Sequence, residues 1–178
     1  MRVTEVQLNE EYLIAKQSNN IDYVDVFQVE IESLEPPAPK DCMVAFFRSF
    51  PPFFTALLLL REKIAGAFGL KTAPENTQEA REKQLNEFQG NVGDHIAIFE
   101  VLDKNSVELL TGQKDKHLDF KLSFISYQKD NHSIIELATT VVIHNALGKA
   151  YFSIVRPIHR IYMKRIMRRM VKKLHNSS

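Results

Sequence analysis

Apolar and polar residues alternate with a period of two along IDYVDVFQVEIE, residues 21–32. That period predicts a strand with Tyr23, Asp25, Phe27, Val29 and Ile31 on one mainly apolar face. Val24, Val26, Gln28 and Glu30 share the opposite, mixed face, and EPPAP at 35–39 ends the strand. Residues 43–60, MVAFFRSFPPFFTALLLL, are apolar over almost the length of a membrane helix. A spanning helix needs about 20 predominantly apolar residues. Here Arg48 and the Pro51-Pro52 pair interrupt the run, and proline disfavours helix in the residue before it. The pattern predicts two short helices and no membrane span. The first is capped by Asp41 and ends near Ser49; the second starts at Pro52 and runs to Phe68, with Gly69 as its stop. Phe54, Leu57, Leu58, Ile64, Ala65 and Phe68 form the stripe of the second helix.

Residues 71–90 are polar and read as a long loop with room for a helical turn. Four strand-like runs follow at 95–103, 106–113, 117–128 and 133–144, joined by the short polar connections DKNS, KDK and KDNH. Such connections join antiparallel neighbours. In the third run Leu118, Phe120, Leu122 and Phe124 face one way, and His117, Asp119, Lys121 and Ser123 the other. Both faces of the fourth run are apolar, so it is expected at the centre of the sheet or covered on both sides. One long helix over 146–174 closes the chain, with Asn145 as its cap and Pro157 inside it. Its stripe is read as Leu147, Ala150, Tyr151, Ile154, Val155, Ile158, Ile161 and Tyr162, and Pro157 is expected to bend it. The class is therefore α+β, in one domain spanning 1–178 with a lead-in over 1–20. A curved antiparallel sheet would wrap the C-terminal helix, leaving a cavity between them.

Composition changes this picture little. Hydrophobic residues make up 44% and charged residues 25% of the 178, a globular mixture that excludes disorder and collagen-like order. The single cysteine, Cys42, cannot form an internal disulfide and reads as a small buried hydrophobe. No basic segment followed by an apolar one opens the chain, so a reducing, cytoplasmic location is expected. Charge changes it more. From Lys149 onward there are nine basic residues and no acidic one; taking those nine from the 23 basic residues leaves 14 against 22 acidic, a formal −8. A cationic helix is attached to an anionic body.

Three segments carry a family resemblance: PPFFTALLLLREKIAGAFGL at 51–70, DKHLDFKLS at 115–123, and TTVVIHNALGKAYFSIVRPIHRIYMKRIMRRM at 139–170. With the spacing between them, the chain resembles a bacterial family of unknown function within the START, polyketide-cyclase and Bet v 1-like superfamily. That resemblance implies the helix-grip fold and, by analogy, the holding of a small hydrophobic or amphipathic molecule inside the grip. It supplies no catalytic residues. Five strands are read here, against the seven usual in the superfamily.

Candidate chemistry is sparse. His144 and His159 are the acid–base candidates, with Tyr151 or Arg156 to orient a substrate. Hydrogen bonding at the strand–helix corner is the favoured account of His144. His117 and Asp119 are neighbours on one strand face and would form an oriented pair, read as structural or as part of an interface. Arg48 and Arg61 would either meet an acidic head group or pair with carboxylates. Six histidines without ligand spacing predict no metal site, and no cofactor is expected. The residues expected at a ligand are Phe54, Leu58 and Arg61 from the apolar segment and Phe120 and Leu122 from the sheet. His144, Tyr151, Val155 and Ile158 complete that set at the last helix. Lys164, Arg165, Arg168, Arg169, Lys172 and Lys173 form a basic face, with Met163, Ile166, Met167, Met170, Val171 and Leu174 as its apolar side. Ordinary solvation explains that face; contact with an anionic membrane is the functional alternative, and nucleic acid is less favoured. A homodimer stays open. Three functions are thus carried forward: ligand binding, acid–base catalysis on the same fold, and peripheral membrane or partner contact through the basic helix.

Overall fold

The computed structural model describes residues 2–32, 35–50 and 78–175. Seven strands form one antiparallel sheet: β1 Val3–Glu5, β2 Tyr23–Ile31, β3 His95–Ile96, β4 Phe99–Lys104, β5 Glu108–Gln113, β6 Leu118–Lys129 and β7 His132–Ile143. Their spatial order is β1-β2-β7-β6-β5-β4-β3. Strands β3 to β7 make a meander, and β2 returns to pair with β7 from Tyr23↔Val141 to Ile31↔Ser133. The helices are α1 Leu13–Lys16, α2 Pro39–Arg48, α3 Gln78–Glu87 and α4 Ala146–His175. The long C-terminal helix packs on α2 and touches the sheet at β1 and β2, while α2 lies over β5 and β6. This is the α+β, helix-grip arrangement expected from the element order.

Strand parity divides the interior in two. On the inner face Phe27, Val29, Leu122, Phe124, Ile135 and Leu137 pack against Met43, Phe46 and Phe47 of α2 and Met163, Ile166, Met167 and Met170 of α4. Phe46 meets Phe124 edge to face at 5.2 Å, a geometry favoured by the ring quadrupoles. On the outer face Val26, Leu110, Ile125 and Ala138 pack against Ile14 of α1. Covering on both sides explains why β7 carries almost no polar alternation. Cys42 is fully buried, and burial, with Asp41 beside it, pushes its thiol up to about 12. It is an inert core residue, as read from the sequence.

The segment over 1–20 is more than a lead-in. Val3–Glu5 adds an edge strand, and α1 is held down by a buried carboxylate. Glu108 accepts the Leu13 and Ile14 backbone N–H groups at 2.6 and 3.0 Å, and the Ser123 hydroxyl as well. Those N–H groups belong to a first helical turn and have no partner within the helix. Glu136 does the same for Tyr12, the residue before α1, accepting its Oη–H at 2.8 Å, and also accepts Oη–H of Tyr127 on β6 at 3.2 Å.

Several expectations are corrected. The loop read over 71–90 contains α3, whose sequence QEAREKQLNE is rich in helix formers but lacks an apolar stripe; Leu85 and the following Phe88 are buried there. The run 95–103 is two strands, because Ala97 turns the chain with φ +53° and Ile96 pairs with Phe99. Neither Ala97 nor Ile98 is a turn-type residue, and the Gln84 side chain supports the bend by accepting the Ala97 N–H at 3.0 Å. With β1, this split raises the five strands read to seven. Asp41 lies in the first turn of α2, which begins with Pro39 after Ala38, so Asp41 is not its cap. The second short helix, from Pro52 to Phe68, lies outside the described residues. The stripe read along α4 is rotated, with Leu147, Ile154 and Ile161 exposed at 40, 64 and 59% while Gly148 and His159 face inward.

That rotation has a local cause. Asn145 caps α4 as expected, its Oδ1 accepting the Gly148 N–H at 3.0 Å. A Cβ on Gly148 would sit 2.2 Å from the His117 carbonyl oxygen, so the helix can begin here only with glycine against the sheet. Helix propensity alone would make Gly148→Ala stabilising by about 1 kcal/mol. The backbone clash reverses the sign: urea denaturation is expected to show a loss of about 1–3 kcal/mol or more. Glu108→Ala, which strands the buried Ile14 N–H and the half-buried Leu13 N–H, is expected to lower stability by about 1–3 kcal/mol in the same assay.

Candidate functional site

The first half of α4 differs from the second. From Met163 to Val171 its inward residues are fully packed, whereas Tyr151, Phe152, Val155 and Ile158 are only half-buried. Opposite this looser half, the β2–β7 register places Asp25 beside Thr139 and Tyr23 beside Val141, all on the inner face. The β6–β7 register adds Phe120 next to Val141. His159, one turn beyond Val155, descends onto this corner.

The result is a polar cluster inside an apolar interface. Asp25 and His159 are 4 and 6% exposed. His159 Nε2 lies 3.2 Å from Asp25 Oδ2 and 3.4 Å from Thr139 Oγ1. Tyr23 Oη–H donates to the same Asp25 oxygen at 2.6 Å. Rings surround the imidazole, with the Tyr23 and Phe120 centroids at 6.3 and 6.5 Å and both edge-on. Phe152 packs on Tyr23 at 5.1 Å, and the Arg156 guanidinium lies 5.3 Å from the Tyr23 centroid on the rim. Arg160 ties α4 to β1 through Glu5, at 2.9 and 2.8 Å from its two carboxylate oxygens.

Opposing effects set the charge state of Asp25. Burial alone raises a carboxyl pKa, but the hydrogen bond and charge of His159, with the Tyr23 and Thr139 hydroxyls, outweigh it and hold Asp25 below the ordinary range. Burial and the adjoining carboxylate push the Tyr23 phenol well above its ordinary value, so it stays a donor.

The residues expected from the sequence divide between the two faces. Phe120, Tyr151, Val155, Ile158 and His159 border the cluster or the half-buried surface beside it. Leu122 is buried in the packed core, and Phe54, Leu58 and Arg61 fall outside the described residues. His144 is not at this site. Its Nε2 lies 3.1 Å from Asp119 Oδ1 on the outer side, because Asp119 alternates away from Phe120. Asp119 therefore pairs with His144 and not with His117, whose Nδ1 meets the capping Asn145 side chain. Asp115 to Asp119 runs from the bend after β5 into the start of β6 and is held to the start of α4: the Asp115 N–H donates to Asp119, and Lys116 O accepts from Asn145. Arg48 takes the carboxylate-pairing alternative, 3.5 Å from Glu82 and bonded to Asn86. The apolar side of the basic helix, from Met163 to Val171, is committed to the core.

Sequence reasoning passed over Asp25, Tyr23 and Thr139. The signal was present: Asp25 is the one acid on the apolar face of its strand, and a buried acid requires a partner. Two open grooves, of about 430 and 470 Å³, lie elsewhere, one over Thr4, Gln28, Glu30 and His132, the other over Glu100, Gly112, Lys114 and Lys121. Among the described residues, no group of three or more His, Cys, Asp or Glu side chains is placed to hold a metal ion, and no helix is long and apolar enough to cross a membrane.

A family model described as a protein of unknown function, DUF2867, matches residues 18–166. No curated protein and no solved structure matches the chain.

Because the folded Asp25 carboxyl titrates below its ordinary value of 3.8, the unfolded chain takes up the proton first as pH falls. Its contribution is complete above that value and disappears as pH drops through the folded value. Urea midpoints of the native protein should therefore fall with acidification in that range, and those of Asp25→Asn should fall less. Equal slopes would show that Asp25 has no such role.

Proposed function

The chain belongs to the DUF2867 family, and we propose that it binds a small hydrophobic or amphipathic molecule between the first half of α4 and the sheet. The observation that carries this reading is the Asp25–Tyr23–Thr139–His159 cluster, set in an interface otherwise made of apolar side chains. A core built for stability alone gains little from a buried carboxylate–imidazole pair, and well-packed hydrophobes of similar volume often serve as well or better. A pocket for an amphipathic molecule needs this combination: mostly apolar lining and a few placed polar groups that fix orientation. Half-buried Phe120, Tyr151, Val155 and Ile158 supply the apolar part. The resemblance to the START, polyketide-cyclase and Bet v 1-like superfamily supports the same location, since that superfamily holds its ligands inside the grip.

Acid–base chemistry at His159 is the second reading, favoured by the carboxylate behind its ring. The Nε2 atom is already engaged by Asp25 and Thr139, which leaves binding the better supported of the two.

Protein purified without detergent should show a native mass above its denatured mass, the difference identifying the bound class. Phe120→Ala with Tyr151→Ala should reduce the occupied fraction several-fold while the chain stays folded by circular dichroism. A bare native mass that added fatty acids or sterols do not change would sink the proposal.

A further inference from the structure

The solvent side of α4 carries a pattern that neither the core nor the cluster uses. Leu147, Ile154 and Ile161 are 40, 64 and 59% exposed. They recur every seven residues, so they share one line on the helix, drifting only about 20° at each step. The next member of that line is Arg168, flanked one turn away on either side by Arg165 and Lys172, all three exposed. The line thus changes from apolar to cationic along its length, over roughly 38 Å from Leu147 to Lys172. Its cations are available: the ion pairs among the described residues engage none of Arg165, Arg168, Arg169 or Lys172. Arg165 stacks on Tyr162 at 5.7 Å, which positions the guanidinium without neutralising it.

We propose that this side of α4 lies against an anionic lipid surface, with Ile154 and Ile161 entering the headgroup layer and Arg165, Arg168 and Lys172 meeting lipid phosphates. The contact is independent of the ligand site and uses the side opposite Met163, Ile166, Met167 and Met170, which are 1% exposed or less. Both halves of the line are matched at once by an anionic bilayer, whose surface attracts cations and whose interface accepts apolar side chains. Nucleic acid would match the cations and leave the isoleucines in water. A second copy fits poorly too. Antiparallel pairing would set the cationic half against the apolar half, and parallel pairing would set like charges face to face, at a cost in either case. Because the opposite side of α4 is locked into the core, the protein rests on the surface and does not insert.

Flotation of the full chain with vesicles tests this. Vesicles of phosphatidylcholine mixed with phosphatidylserine should carry the protein at low salt, and pure phosphatidylcholine vesicles should not. A cation near such a surface contributes about 1 kcal/mol, so each one lost should weaken binding about 5-fold. Arg165→Gln/Arg168→Gln/Lys172→Gln should then weaken it by about two orders of magnitude. Ile154→Ser/Ile161→Ser should leave the low-salt attraction but abolish what persists at physiological salt, where charge is screened. Both variants change exposed residues, and thermal melts matching the native protein would confirm that they fold. Four results would each overturn the inference: no flotation at low salt, flotation unaffected by the triple substitution, flotation indifferent to the isoleucine pair at every salt concentration, or tighter binding to a DNA duplex than to anionic vesicles.

Discussion

The pairing of β2 with β7, nine residues from Tyr23↔Val141 to Ile31↔Ser133, is the constraint from which the rest of the structure follows. It brings the first long strand of the chain beside the last, closing a loop of more than a hundred residues around the meander. It leaves β7 hydrogen-bonded on both edges and covered on both faces, the most protected element of the sheet. Because side chains alternate with a period of two, one register decides everything downstream. A one-residue slip would turn Asp25, Phe27 and Val29 to the outer face and bring Val24, Val26 and the polar Gln28 and Glu30 inward. In the native register Asp25 and Thr139 stand side by side within reach of α4.

The helix completes what the register begins, and its two halves do different work. The second half supplies methionine and isoleucine to the main core, where α2 interlocks with it. The first half approaches the sheet through Gly148 and His159, one a backbone contact and the other a polar one. The carboxylate–imidazole pair is expensive to desolvate, and its net contribution to stability over an apolar pair is small. Removing either partner alone is costly, so the pair specifies the placement of α4 more than it strengthens it. That specificity is what a site between helix and sheet requires.

Charge is segregated in the same way. Acidic residues are used inside the fold as acceptors, Glu108 and Glu136 for the N-terminal segment and Asp25 for the helix, while the basic residues of α4 project outward. Three buried carboxylates thus tie α1, the preceding Tyr12 and α4 to the sheet. Arg165, Arg168 and Lys172 are left on one helix face, where their effect extends into solvent.

Local pattern determined much of this protein. The alternation in residues 21–32 identified the inner face of β2 correctly, residue by residue, because strand geometry is local. The doubly apolar run of β7 announced its central position, and Asn145 announced the start of α4. What escaped the pattern was decided by contacts between distant segments. The stripe read along α4 was rotated from the side that packs inward, since apolar residues surround its first half, and the close approach of Gly148 to the His117 carbonyl set the side that faces the sheet. α3 has no stripe to read, and the Ala97 turn lacks turn residues; both are held by neighbours, Leu85 in the core and Gln84 at the bend. The candidate site was half legible. His159 stood out as a titratable group on the helix, but its partner lies 134 residues away on β2, and only the tertiary structure brings the two together. Periodicity records which face a residue takes within its own element; which faces meet is a property of packing.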